Sequence, residues 1–163
     1  MKELLYRIYK NPRKMRMLKI VNDGCAYLSA AFFGVLLILK LLEGGYTDAF
    51  ILGGAAMVGF VFVTVFRAIL DKPRPYEVYD FYEIKPAERE GKSFPSRHCF
   101  SAFIIATLLI ALNIPTAVAV YFLAIIISVC RVLTGIHFVR DVLAGALMGI
   151  AFGIVGILLQ YFF

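Results

Sequence analysis

Tryptophan is absent from this sequence, histidine occurs twice and cysteine three times in 163 residues. The three cysteines, Cys25, Cys99 and Cys130, form an odd set with no metal-ligand spacing, which argues against a disulfide framework and a cysteine-based zinc site. All three fall in or beside apolar runs, where free cysteine behaves as a small core residue. The first 19 residues lack the compact apolar centre and the small-residue cleavage site of a signal peptide. No internal repeat or low-complexity tract interrupts the chain. Acidic residues are few, 11 against 17 Lys and Arg, for a net charge of +6. In so apolar a chain this excess concerns membrane topology and anionic lipid, and no nucleic-acid partner is expected.

Apolar residues are abundant. They make up 61% of the sequence, against roughly 45–50% in a soluble domain. They gather into five runs, at 24–42, 49–70, 98–113, 116–134 and 141–162, each near or at the ~20 residues that cross a ~30 Å hydrocarbon layer. The short 98–113 run is expected to begin in the interface. The turns at 43–48 and 113–115 are tight and contain Gly or Pro, so neighbouring helices run antiparallel. Gly145, Gly149 and Gly153 share one face of the last helix and permit close helix approach. The expected fold is all-α: a polytopic membrane bundle of about five spans. The length suits one domain, 1–163, with the chemistry-bearing motifs in 49–162.

Residues 3–20 read as a basic amphipathic helix lying on the membrane surface, with Pro12 bending or splitting it. The longest polar connection, 71–95, has the length of a functional lid or of a disordered segment.

Alternating spans bring the end of the second, the start of the third, the end of the fourth and the start of the fifth to one membrane face. Those ends carry Arg67 and Arg74, then Ser96, Arg97 and His98, then Arg131, and then His137 and Asp141. Arginines grouped at a membrane face suit an anionic ligand, because their planar forks match phosphate oxygens. Ser96 adds a hydroxyl donor, and the helix start at Ser96–His98 offers backbone N–H groups. Lys72 is a further nearby cation. If a helix begins near His137, Asp141 lies one turn along on the same face and can hold one ring nitrogen. The other nitrogen is then free to attack phosphorus. His98 is left as the proton donor to the leaving oxygen.

These motifs resemble the type 2 phosphatidic acid phosphatase superfamily, which is related to vanadium haloperoxidases. The family pattern is Lys-x6-Arg-Pro, Pro-Ser-Gly-His and Ser-Arg-x5-His-x3-Asp. This chain has Arg67-x6-Arg74-Pro75, Pro95-Ser96-Arg97-His98 and Cys130-Arg131-x5-His137-x3-Asp141. The resemblance covers about 49–162. It implies a phosphohistidine on His137, His98 as acid, Asp141 as orienter, the basic residues as phosphate ligands, and no metal or other cofactor. Arg67 replaces lysine, Arg97 replaces glycine and Cys130 replaces serine, departures that bear on substrate more than on reaction.

The resulting expectation is a multi-pass plasma-membrane phosphatase whose partners are the bilayer and a lipid phosphate. Candidate substrates, by resemblance, are undecaprenyl diphosphate, phosphatidylglycerophosphate, phosphatidic acid and lipid A phosphates. A lipid phosphotransferase is the alternative enzyme. A non-catalytic lipid-phosphate binder or transport element has no need of an acid–nucleophile pair. No sequence motif sets the oligomeric state. The side of the membrane is pulled two ways. The motif face holds every Lys and Arg except Lys40, which the positive-inside rule assigns to the cytoplasm. The resemblance favours the extracytoplasmic face, and that is the side expected here.

Overall fold

The computed structural model describes residues 2–79 and 91–163. Most of the charged part of the 71–95 connection, including Lys85 and Arg89, lies outside the described residues. The described chain is helical: α1 Lys2–Tyr9, α2 Pro12–Leu42, α3 Tyr46–Leu70, α4 Pro75–Tyr79, α5 Arg97–Leu108 with a 3₁₀ turn Leu109–Ala111, α6 Ile114–Leu133 and α7 Val139–Phe162. The helix starts follow local signals. Asn11 accepts the N–H of Lys14 at 3.2 Å ahead of Pro12, and Asn113 accepts that of Thr116 at 2.9 Å ahead of Pro115. Each asparagine caps a helix with proline in its first turn.

Pro12 does divide the basic segment, but its two parts fare differently. Only Lys2–Tyr9 is a separate helix; 12–20 continues without a break into the first span. At 31 residues and ~1.5 Å per residue, α2 is about 46 Å long, well beyond the ~30 Å hydrocarbon layer. The surplus fits the N-terminal end, where Arg13, Lys14, Arg16 and Lys19 are all exposed. Projecting from the bilayer solvates these charges as well as lying on it would.

Among the described residues four helices, α2, α3, α6 and α7, are long and apolar enough to cross a membrane. Their outer faces carry Phe50, Ile69, Phe122 and Leu147, which are 73%, 75%, 63% and 69% exposed. A belt of this kind requires lipid as its solvent. The chain is a multi-pass membrane protein.

The 98–113 run takes a different place. α5 and its 3₁₀ turn span only about 24 Å, and they pack against α2, α3, α6 and α7. Cys99, Phe100, Ala102, Ile104, Ala106, Thr107 and Leu108 are buried. A helix apolar on all sides is a core helix. Covered by protein, it does not have to reach both surfaces, so its polar start can lie deeper than the ends of its neighbours.

The glycine stripe makes this packing possible. A Cβ on Gly145 would lie 2.5 Å from the Ser96 carbonyl oxygen, and one on Gly149 would lie 2.5 Å from that of Phe100. α7 therefore rests directly on the backbone of α5, and its second turn on the Ser96–Phe100 segment.

Candidate active site

The turn between α6 and α7 positions the first histidine. Gly135 closes α6 in the left-handed conformation, with φ +67°, which glycine adopts without a steric penalty. Thr134 Oγ1 donates to the Cys130 carbonyl at 2.8 Å, and the His137 N–H donates to that of Arg131 at 3.2 Å. The imidazole is thereby folded back toward α6, and its Nε2 lies 3.4 Å from Arg131 Nη2.

The other ring nitrogen meets an arrangement that the motif spacing does not contain. α7 begins at Val139, so His137 precedes the helix, yet its Nδ1 still faces the Asp141 carboxylate. Nδ1 is 3.8 Å from Asp141 Oδ2, too far for a hydrogen bond. Ser93 Oγ lies 3.5 Å from Nδ1 and donates to Asp141 Oδ2 at 2.5 Å. The same carboxylate oxygen accepts the Phe138 N–H at 3.0 Å, and Oδ1 is 3.5 Å from Arg140 Nε. Ser93, His137 and Asp141 are all buried. Sequence reasoning assigned Ser93 no role. A serine in a polar connection carries no signal by itself; its place next to Pro95-Ser96 was the only hint.

The two upstream arginines reach the same region through the returning end of the long connection. Arg67 donates through Nε to the Lys92 carbonyl at 3.0 Å, and its Nη2 contacts the same oxygen. Arg74 Nε donates to the Gly91 carbonyl at 2.9 Å, and its guanidinium sits 5.8 Å from the Tyr76 ring centroid. Gly91 and Lys92 both have left-handed backbones, and Asp71 Oδ1 accepts the Lys92 N–H at 3.2 Å. The Ser93 N–H bonds the Lys72 carbonyl at 2.8 Å. Lys72 thus takes part through its backbone, while its side chain is exposed.

Arg67, Arg74 and Arg131 are all buried. Burial lowers the His137 pKa from 6.5 to about 4; the Asp141 carboxylate opposes that shift, and the charges of Arg131, Arg67 and Arg74 reinforce it. At neutral pH the ring is therefore neutral, the form in which a nitrogen lone pair can attack.

Ser96 stands where α5 begins. Its N–H bonds the Asp141 carbonyl at 2.9 Å, tying the start of α5 to that of α7. Its Oγ is buried with no hydrogen-bond partner among the described residues, and no side chain caps the helix. A buried hydroxyl and open helix N–H groups are donors of the kind that an anion accepts.

Next along α5, Arg97 and His98 are half-buried and line a separate cavity on the α2–α3 side. Thus Arg67, Arg74, Arg131, His137, Asp141 and Ser96 belong to one connected region, and Arg97 and His98 open beside it. α1 completes the cover: Leu5 is buried and lines the small pocket around His137 with Pro75, Tyr79 and Phe138. The basic N-terminal segment therefore shares a face with the site, as alternation of the spans predicted.

The PAP2 superfamily profile matches residues 48–163. Among solved structures, Aquifex aeolicus LpxE is 26% identical with a TM-score of 0.65, over 95% of this chain and 93% of that one. A transmembrane PAP2-type phosphatidylglycerophosphate phosphatase from Bacillus subtilis is 21% identical with a TM-score of 0.62, over 96% of this chain and 84% of that one; this second likeness concerns the fold. No curated protein matches the chain.

Proposed function

The chain belongs to the PAP2 superfamily, and from that premise we propose that it is an integral membrane lipid phosphatase acting through a phosphohistidine on His137. The observation that carries the reading is the buried His137 set between Arg131 on one ring nitrogen and the Ser93–Asp141 pair on the other. In this mechanism Nε2 attacks phosphorus. The Nδ1 proton is held by Ser93 Oγ, which passes the interaction on to Asp141 and steadies the imidazolium as it forms. Arg131, the Ser96 hydroxyl and the helix start at Arg97–Cys99 take up charge on the phosphoryl oxygens, with Arg67 and Arg74 adding to the positive field. His98 protonates the leaving oxygen and then draws the proton from the water that hydrolyses the phosphohistidine. Lys72 contributes by anchoring Ser93. Residues 49–162 carry the chemistry, while α1 covers the site.

Purified protein in detergent should release phosphate from a panel containing phosphatidylglycerophosphate, phosphatidic acid and a prenyl diphosphate. Because arginines supply the charge neutralisation, release should persist in excess EDTA. Vanadate should inhibit it by adopting the five-coordinate geometry of the transition state. Phosphate release that appears only with added Mg²⁺ would contradict the mechanism.

We place the site on the extracytoplasmic face of the plasma membrane, as the resemblance implies, against the pull of the basic N-terminal segment. Val78 is exposed in α4, whose Pro75 and Tyr79 line the pocket at His137. With Cys25, Cys99 and Cys130 replaced, a Val78→Cys protein should react with an impermeant maleimide in intact cells. Labelling only after lysis would reverse the assignment.

A further inference from the structure

Arg97 and His98 line a cavity of about 220 Å³, bounded by Ala26 and Ala30 of α2, Phe60 of α3, and Ser101 and Ile105 of α5. Ala30 is exposed and Phe60 is 46% exposed on the outside of the bundle. In a membrane the cavity therefore opens sideways, between α2 and α3, into hydrocarbon. The Arg97 guanidinium carbon is 5.3 Å from the Phe60 ring centroid, a cation–π contact that holds a permanent charge at the side of this apolar space. Ser101 Oγ, on the same wall, is buried with no hydrogen-bond partner among the described residues.

The cavity's place is informative because of His98. A group that protonates the leaving oxygen must come within hydrogen-bond reach of it, and the leaving oxygen is the one that carries the lipid. The lipid chain must therefore run from His98 into the cavity that His98 lines. Arg97 lies on that leaving-group side, away from His137. For phosphatidic acid the departing group is a neutral diacylglycerol, which makes no use of a fixed cation. For a lipid diphosphate the departing group is itself a phosphate, on which negative charge grows as the bond breaks.

We propose that Arg97 and the α2–α3 cavity select a lipid diphosphate, with the hydrocarbon chain in the cavity and the lipid-bearing phosphate against Arg97. The proposal rests on the phosphatase reading above. His137 Nε2 forms a bond to the terminal phosphorus while the bond from that phosphorus to the bridging oxygen breaks. The bridging oxygen departs with the electron pair on the lipid monophosphate, taking a proton from His98. Water then attacks the phosphohistidine, returns a proton to His98 and releases inorganic phosphate.

The test compares kcat/KM for farnesyl diphosphate and for phosphatidic acid in detergent micelles, with wild-type, Arg97→Gly, Arg97→Lys and Ala30→Phe proteins. Wild type should favour the diphosphate. Arg97→Gly should lower the diphosphate-to-phosphatidate ratio by about tenfold or more, and Arg97→Lys should restore part of it, since charge rather than bulk is at issue. Ala30→Phe, which narrows the cavity, should raise KM for both lipids with little change in kcat. A ratio unaffected by Arg97→Gly, or a wild-type preference for phosphatidic acid, overturns the proposal and leaves the phosphatase reading standing. Hydrolysis of neither lipid, nor of any other lipid phosphate, overturns both.

Discussion

His137→Ala is expected to abolish lipid phosphate hydrolysis, with a loss on the order of 10⁴–10⁶-fold in kcat, the scale seen when an enzyme loses its nucleophile. His98→Ala should lose ~10²–10⁴-fold, the usual contribution of a positioned acid. The two variants differ in kind as well as in size. With an aryl phosphate whose phenol leaves without a proton, His98→Ala should still form the phosphoenzyme and then accumulate it, because hydrolysis of the intermediate lacks its base. His137→Ala should form none. Rapid quenching with ³²P-labelled substrate separates these cases. Activity of His137→Ala within tenfold of wild type would sink the mechanism. Ser93→Ala should lower kcat by about tenfold, since one hydrogen bond to the charged pair is lost while Asp141 keeps its Phe138 contact. The acid limb of the kcat/KM profile follows from the charge on His137. Protonated imidazole cannot attack, and His137 is held near pH 4 instead of 6.5, so the limb set by this residue lies near pH 4. Arg131→Ala removes a cation that disfavours imidazolium and should move the limb upward.

Gly145→Ala is expected to cost about 10²-fold in kcat/KM, although the glycine touches no substrate. In an exposed helix, replacing glycine with alanine is favourable by about 1 kcal/mol. Here the new Cβ would sit 2.5 Å from the Ser96 carbonyl oxygen and 3.3 Å from the Phe100 nitrogen. Both obstacles are backbone, so α5 must shift against α7. Ser96 moves with it, and so does the bond from its N–H to the Asp141 carbonyl. A displacement of ~1 Å in a positioned site has an effect of that size. Gly54→Ala provides the control, because nothing lies within 4 Å of its added Cβ; it should retain wild-type kcat/KM. Equal activity in Gly145→Ala and wild type would show that the helix start tolerates movement, and that Ser96 is not held in place by this contact.

Much of this site was legible in the motif-bearing span ends. Arg67, Arg131, His137 and Asp141 sit at the boundaries of apolar runs, and alternation alone carries those boundaries to one face. The link between His137 and Asp141 was not legible in detail. Their spacing suits a helical turn, yet the helix begins two residues after His137, and a serine 44 positions upstream of the histidine occupies the gap. The basic N-terminal segment was legible only in part. Its first stretch, Lys2–Tyr9, is a separate helix, while 12–20 continues into the first span, a join that nothing local announces. Arg97 carried one clue, its departure from glycine, but only the packing of α5 against α2 and α3 shows what the side chain faces.

The sequence by itself determined that the chain crosses a membrane, that its helices lie where the apolar runs do, and that one end of the bundle gathers arginines and both histidines. These follow from burial of apolar area and satisfaction of backbone hydrogen bonds, which act locally along the chain. Only the tertiary structure decided that the shortest apolar helix is the central one, that Ser93 stands between His137 and Asp141, and that Arg97 opens on a lipid-side cavity. Each depends on which residues distant in sequence come into contact, here set by glycines that let α7 lie on the backbone of α5, and steric contact of that kind has no periodicity to read.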